Sequence, residues 1–235
     1  MTGSGLVFVH SPLVGPLTWR AVAERCAASG WPVAVADLTT AMAGPAPYQP
    51  RVAAAVARAA AGPGGPVVLV GHSGAGPLLP GVAAAVGVPV RALVYVDAGL
   101  PQPGRTWFDT APPQLTDHLR SLARDGAVPP WHEWFAPETL AALLPAPGLR
   151  AEFTSELVPV PLDYFQERAG PAVWSGPAGY LLLSEGYRGD ATRAAAQGMP
   201  VVEHPSHHLA MLTAADQVAA ALRELLGVLG VAAAA

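Results

Sequence analysis

The residues with the clearest chemical potential lie in Val67-Val-Leu-Val-Gly-His-Ser-Gly-Ala-Gly76. Ser73 stands there in the pattern Gly-x-Ser-x-Ala, after an apolar run and before a helical stretch. Small residues at Gly71 and Ala75 let the chain turn sharply without clash. Such a turn lifts a serine hydroxyl above a strand end and sets it at the positive end of a helix. The five-residue pattern alone is a weak signal, and its place between strand and helix strengthens it. The plainer alternatives are a Gly-rich turn or a nucleotide-binding loop. The latter is disfavoured because Gly-x-Gly-x-x-Gly spacing is missing and the segment follows a third strand, not a first.

A serine hydroxyl needs a base, usually histidine. Seven histidines are present, and three of them cluster in Glu203-His-Pro-Ser-His-His-Leu209. That loop lies between the last strand and the last helix, on the same strand-end side as Ser73. It makes His208 the candidate base, with His207 the neighbouring alternative. His10 and His72 read as structural, holding loops through side-chain to backbone bonds. A base also needs a carboxylate to orient it. Asp97 ends the strand next to the nucleophile strand, while Glu185 and Asp190 follow the fifth strand and compete for the role.

These residues need a scaffold, and the first half of the chain supplies an alternation of strands and helices. Strands are expected at Leu6–His10, Pro32–Asp37, Val67–Val70 and Val90–Val96. Helices are expected at Thr18–Ser29, Gln49–Ala61 and Pro77–Val86. Thr18 would be the N-cap of the first and Gly30 its C-cap. Nearly continuous apolar strands alternating with helices imply an α/β fold, a mostly parallel sheet with helices on both faces. Alternation resumes with strands at Tyr180–Leu183 and Pro200–Glu203, a helix near Ala191–Gln197 and a closing helix over Thr213–Leu226, giving about six strands. Residues 1–99 and 180–235 thus form two parts of one core.

Residues 100–179 break the pattern. They are rich in proline and hold Trp107, Trp131, Trp134 and Trp174. Helical pieces at Gln114–Asp125, Pro137–Leu144 and Leu149–Glu156 suggest an inserted helical cap. Its aromatics, with Phe108, Phe135 and Tyr164, suggest an apolar pocket.

Composition narrows the function classes. The chain has 235 residues, 51% hydrophobic and 13% charged, with a net charge of −4. It is not a disordered chain, and with no basic run it is no nucleic-acid binder. There is no Lys, Asn or Ile, a bias consistent with a GC-rich genome. Missing Lys removes Schiff-base chemistry and the P-loop lysine. A lone Cys26 allows no internal disulfide and reads as core packing. The uncharged stretch between Arg58 and Arg91 is broken repeatedly by Gly and Pro, so no membrane span is expected. The apolar start lacks a basic n-region, so it reads as a strand and the expected location is cytoplasmic. No metal site is expected.

Taken together, the motifs resemble the α/β-hydrolase superfamily over nearly the whole chain. Val7-Phe-Val-His10, Trp19 and Val33-Ala-Val-Ala-Asp37-Leu38 are similar to its first block. His208-Leu-Ala-Met-Leu-Thr213 followed by Asp216-Gln-Val218 is similar to its terminal histidine block. The resemblance implies Ser73 as nucleophile and, by register, His208 as base. The usual acid position falls near Gly186 or Tyr187, where no carboxylate stands, so the resemblance favours Asp97, at a minority site for the acid. It also implies an oxyanion hole from the Gly74 N–H and a backbone N–H after a His-Gly pair. Here the sequence is His10-Ser11-Pro12, and proline has no N–H. The Leu13 N–H or the Ser11 hydroxyl is left to fill the place.

The leading expectation is a serine hydrolase, free of metal and cofactor, acting on a small-molecule ester or thioester with an apolar acyl or aryl part. The Pro12 departure keeps open a lyase, cyclase or isomerase that uses the same residues for proton transfer. A ligand-binding protein without turnover is the third reading. Oligomeric state is not legible.

Overall fold

A computed structural model describes residues 3–171 and 173–233. The first residues of the expected Met1–His10 stretch and the end of the Ala232–Ala235 run lie outside them. Six strands form one parallel sheet: β1 (Gly5–Val9), β2 (Val33–Ala36), β3 (Val67–His72), β4 (Val90–Val96), β5 (Ala178–Leu182) and β6 (Val201–Glu203). Their spatial order is β2-β1-β3-β4-β5-β6. The chain begins in the interior of the sheet, moves to one edge, then crosses back to the other side of β1. The order therefore reverses between β1 and β3, whose strand ends open a crevice at such a switch point. The loop after β1 carries His10–Leu13, and the turn after β3 carries Ser73.

Alternate side chains of each strand point to opposite faces, and both faces are apolar. Leu6, Phe8, Val68, Val70, Val94 and Leu181 pack with Trp19, Val22 and Cys26 of helix Leu17–Ala28 and with Val218, Leu222, Leu225 and Leu226 of helix Ala215–Val228. Val7, Val9, Val67, Leu69 and Leu93 face Val52 and Val56 of helix Gln49–Ala60 and Leu79 and Val82 of helix Leu79–Ala85. This double coverage is what the unbroken apolar strands anticipate.

Several boundaries differ from the sequence expectation by a few residues, three of them for identifiable local reasons. The first helix starts at Leu17, and Thr18 is inside it and is not the N-cap. The Thr18 hydroxyl instead donates back to the Gly15 carbonyl at 2.8 Å. The free Leu17 N–H is taken by the Glu156 carboxylate at 2.8 Å, across 139 residues of chain. An anion at a helix N-terminus is favourable. A Cβ on Gly15 would meet Glu156 at its Cβ, 2.5 Å away, as well as at its carboxylate, so a larger residue there would displace the capping side chain. Ser29, not Gly30, is the C-cap of this helix; Gly30 follows it with φ +86° and its N–H on the Ala27 carbonyl at 2.9 Å, turning the chain out of the helix. The helix expected over Pro77–Val86 begins as a tight turn, Ser73–Leu78, and becomes α-helical only over Leu79–Ala85. Pro77 cannot donate to an α-helical ladder, whereas Pro80 falls in the first turn, where no donor is needed. Finally, β3 runs two residues past Val70, because Gly71 and His72 still pair with Tyr95 and Val96.

Between β4 and β5 the chain adds no strand to the main sheet. It forms helices Trp107–Thr110, Pro113–Leu122, Pro137–Leu143 and Pro147–Ser155, and an antiparallel ribbon joining Ala127–Val128 to Val160–Pro161. Phe165 is its centre, fully buried and in ring contact with Trp107, Phe108, Trp134 and Tyr164 at 5.0–5.9 Å. Most of these aromatics hold the segment together, as large buried rings do. Among the described residues no helix is long and apolar enough to cross a membrane.

Candidate active site

Ser73 follows directly on β3 with φ +54°, in the left-handed region that ordinary residues avoid. The chain can fold so tightly because its neighbours are small. A side chain on Gly76 would meet the Gly99 carbonyl at 2.3 Å, and one on Gly71 would meet Leu79 at 3.0 Å. Strain of this kind marks a site that the surrounding structure holds in place.

The Ser73 hydroxyl faces His208, with Oγ 3.1 Å from Nε2. On its other side the His208 Nδ1–H donates to Asp97 Oδ2 at 2.8 Å. Because Asp97 is ionised, Nδ1 carries the ring proton, and Nε2 is left as an acceptor for the serine O–H. Asp97 is fully buried and also has a left-handed backbone, φ +44°. Its Oδ1 accepts the N–H groups of Leu183 and Ser184 at 3.0 and 2.9 Å, and Oδ2 accepts the Ser184 hydroxyl. Burial alone would push this carboxyl up. The bonds from His208 and Ser184 outweigh burial and hold it below its ordinary value. The turn after it is pinned by Tyr180, whose hydroxyl donates to the Ala98 carbonyl and accepts the Ala98 N–H at 2.8 and 3.1 Å.

The competing residues point elsewhere. His207 bonds the Thr213 hydroxyl at 2.8 Å and accepts the Leu209 N–H at 3.2 Å. Glu185 is exposed and pairs with Arg188, and Asp190 caps the Leu100 N–H and pairs with Arg193. Neither carboxylate bonds a histidine. Among the described residues no group of His, Cys, Asp and Glu side chains gathers for a metal ion.

His72 and His10 support the loops around the site. His72 donates from Nε2 to the His208 carbonyl at 3.0 Å, and the two rings lie 4.4 Å apart. Burial, and then the neighbouring His208, keep the His72 imidazole well below its ordinary pKa, hence neutral. His10 donates from Nδ1 to the Ser11 carbonyl at 2.8 Å and accepts the Leu38 N–H on Nε2 at 3.0 Å.

The loop after β1 departs from the expected geometry. The Leu13 N–H, one of two groups expected to face the nucleophile, donates instead to Ser11 Oγ at 3.3 Å. Ser11 is 1% exposed, and its Oγ lies 2.8 Å from where a Cβ on Gly74 would be. The Ser11 hydroxyl therefore stands beside the Gly74 backbone. Among the described residues no protein acceptor takes its proton. An apolar cavity runs from Gly74 past Pro77, Leu78 and Leu100 to Trp107 and Tyr164.

The sequence pattern of the alpha/beta hydrolase family matches residues 6–221, which is most of the chain and spans all three residues of the relay. The chain belongs to the alpha/beta hydrolase family. A search of curated proteins finds no match. Among solved structures, this alpha/beta hydrolase is similar to an extracellular α/β-hydrolase from a Paenibacillus species, reported to share structural and functional homology with a tobacco salicylic-acid-binding protein. The TM-score is 0.76 at 16% identity, over 94% of this chain and 98% of that one. It is similar to a pyrethroid hydrolase from Sphingobium faniae, with TM-score 0.74 and 19% identity over 96% and 98% of the two chains. It also resembles tomato methylketone synthase bound to 2-tridecanone, with TM-score 0.71 and 16% identity over 97% and 99%. Identities this low speak for the fold alone.

One neighbour of the relay is absent from the sequence reading. The Tyr187 hydroxyl lies 3.1 Å from Ser73 Oγ, and its ring stacks on His208 at 4.8 Å and 8°. In the sequence its position is distinguished only by lacking a carboxylate. Nothing in the local sequence tells an aromatic facing the site from one packing in the core.

Proposed function

We propose that this alpha/beta hydrolase is a serine hydrolase that cleaves an ester or thioester with an apolar acyl or aryl part. The observation that carries this reading is the continuous relay from Ser73 through His208 to Asp97. His208 Nε2 takes the Ser73 proton as Oγ attacks the carbonyl carbon. Asp97 fixes the tautomer and stabilises the imidazolium that forms. The Gly74 N–H and the Ser11 hydroxyl donate to the oxyanion, with Leu13 N–H holding Ser11 in place. An acyl-enzyme results, and His208 then activates water to release the acid. The cavity between Gly74 and Tyr164 receives the apolar part, with residues 100–179 as its cap. The reaction requires no metal or cofactor.

A second reading keeps the relay and changes the reaction. Pro12 removes a backbone donor, which favours proton transfer without a full oxyanion, as in a lyase, cyclase or isomerase. The fold does not choose between them, since a hydrolase and a methylketone synthase share it. Intact-mass detection of a fluorophosphonate adduct decides. An adduct on the wild type that Ser73→Ala abolishes supports the hydrolase. A folded wild type that stays unlabelled overturns it and leaves proton transfer, or ligand binding insensitive to Ser73→Ala.

A further inference from the structure

Ser73 Oγ has two partners, and its single proton serves one of them. With Nδ1–H of His208 committed to Asp97, the serine O–H donates to Nε2, so the Tyr187 O–H is the donor to Ser73 Oγ. The phenol therefore occupies a lone pair of the nucleophile in the resting enzyme. Attack uses the second lone pair, so the phenol can stay in place as Oγ approaches the carbonyl carbon. Once Oγ is an ester oxygen it is a weak acceptor, and the Tyr187 O–H turns to a better one.

Resting on the serine-hydrolase reading, we infer that Tyr187 is a further catalytic residue, which passes its hydrogen bond from Ser73 to the leaving oxygen of the substrate. The enzyme is thereby fitted to esters of unactivated alcohols. The placement argues for the leaving oxygen over the carbonyl oxygen. The donors for the oxyanion gather at Gly74, where Ser11 packs. Tyr187 lies with His208, its ring parallel to the imidazole, so its hydroxyl and Nε2 reach the same oxygen of Ser73. The group that departs must meet Nε2 to receive its proton, and it therefore meets Tyr187 as well.

The bookkeeping of bonds is simple. In attack, the Ser73 Oγ–carbon bond forms and the serine proton moves to Nε2. In collapse, the carbon–oxygen bond to the alcohol breaks and the proton moves from Nε2 to that oxygen. Tyr187 keeps its own proton and supplies only a hydrogen bond as charge builds on the leaving oxygen. Burial suits it to this, because it pushes the phenol up to about 12 and keeps the proton in place. The same hydrogen bond is of little use to a leaving group that carries its charge readily, such as nitrophenolate.

Tyr187→Phe tests this, since it keeps the ring stacked on His208 and removes only the hydroxyl. The readouts are kcat/KM, which reports acylation, and kcat and KM separately, for methyl hexanoate and p-nitrophenyl hexanoate. Fluorophosphonate labelling of the wild type is run beside them, with melting temperature as the control for folding. The expected result is a loss of about 10- to 100-fold in kcat/KM on the methyl ester, mostly in kcat, with less than about threefold change on the nitrophenyl ester. Equal losses on both esters at an unchanged melting temperature would make Tyr187 a packing residue and overturn the inference. So would no loss on either, or a labelled wild type that hydrolyses neither ester. An unlabelled wild type would remove the hydrolase reading itself, and the inference with it.

Discussion

Replacing His10 with glutamine should flatten the acid limb of the stability profile. His10 is fully buried, and both its ring nitrogens are bonded to backbone, to the Ser11 carbonyl and the Leu38 N–H. Desolvation lowers its pKa to about 4, against the opposing pull of the Ser11 carbonyl and the Asp37 charge. The unfolded chain binds the proton near pH 6.5, so between pH 6.5 and 4 it holds more protons than the native state. Stability therefore falls as pH falls through that window, and the loss levels off below pH 4. A shift of about 2.5 units at about 1.4 kcal/mol each gives a ceiling near 3.4 kcal/mol. The share lost is about 2 kcal/mol at pH 5 and about 3 kcal/mol at pH 4. Protonation places an N–H against the Leu38 N–H, which is the physical origin of the penalty. His72, held neutral by the same burial, acts in the same direction, so the wild type should lose more than His10 alone accounts for. Urea unfolding of wild type and His10→Gln at pH 7.5, 6, 5 and 4 measures the difference. Glutamine still accepts the Leu38 N–H and does not titrate. The variant should start about 1–2 kcal/mol less stable, meet the wild type between about pH 6 and 5, and be the more stable of the two at pH 4. Parallel curves across the whole range would refute the reasoning, because they would mean that His10 takes no proton on unfolding.

Other perturbations are worth as much attention. Ser11→Ala should lower kcat by about 10²–10³, as expected for loss of one oxyanion donor, with the melting temperature lower by only a few degrees because the Leu13 N–H loses its acceptor. Adding Pro12→Gly, which restores a backbone N–H, should recover part of that loss in steady-state ester hydrolysis. Glu156→Ala should cost about 0.5–2 kcal/mol in denaturant unfolding, since Leu17 loses its capping partner. Glu156→Gln, which keeps an acceptor, should cost less.

The sheet was readable because its strands are apolar on both faces, and Val90–Val96 is a strand over the same residues that the sequence indicates. The turn at Ser73 was readable because small residues must stand where the backbone crowds. His208 and His207 are harder to separate. Adjacent residues in a loop have no period to sort them, and only the partners, Thr213 for one and Asp97 for the other, do so. What stayed hidden depends on contacts far apart in sequence. The first helix is capped by Glu156, and no local rule could find that; Thr18 looks like the cap because threonine often is one. Ser184 and Tyr187 touch Asp97 and Ser73, residues about ninety and more than a hundred positions away. Their types, serine and tyrosine, are too common in turns and cores to signal it.

The siting of Asp97 at the end of β4 has a consequence for how this enzyme can be altered. The loop after β5 holds the carboxylate with main-chain N–H groups at 183 and 184, which nearly every residue type supplies, and with the Ser184 hydroxyl. The three positions that follow are exempt from that duty. Glu185 is solvent-exposed, Gly186 has open space around it apart from Ser184, and Tyr187 faces the nucleophile. This short stretch is a natural target for randomisation. Libraries built at 185–187 would sample new leaving-group preferences while the groups that carry the proton stay in place.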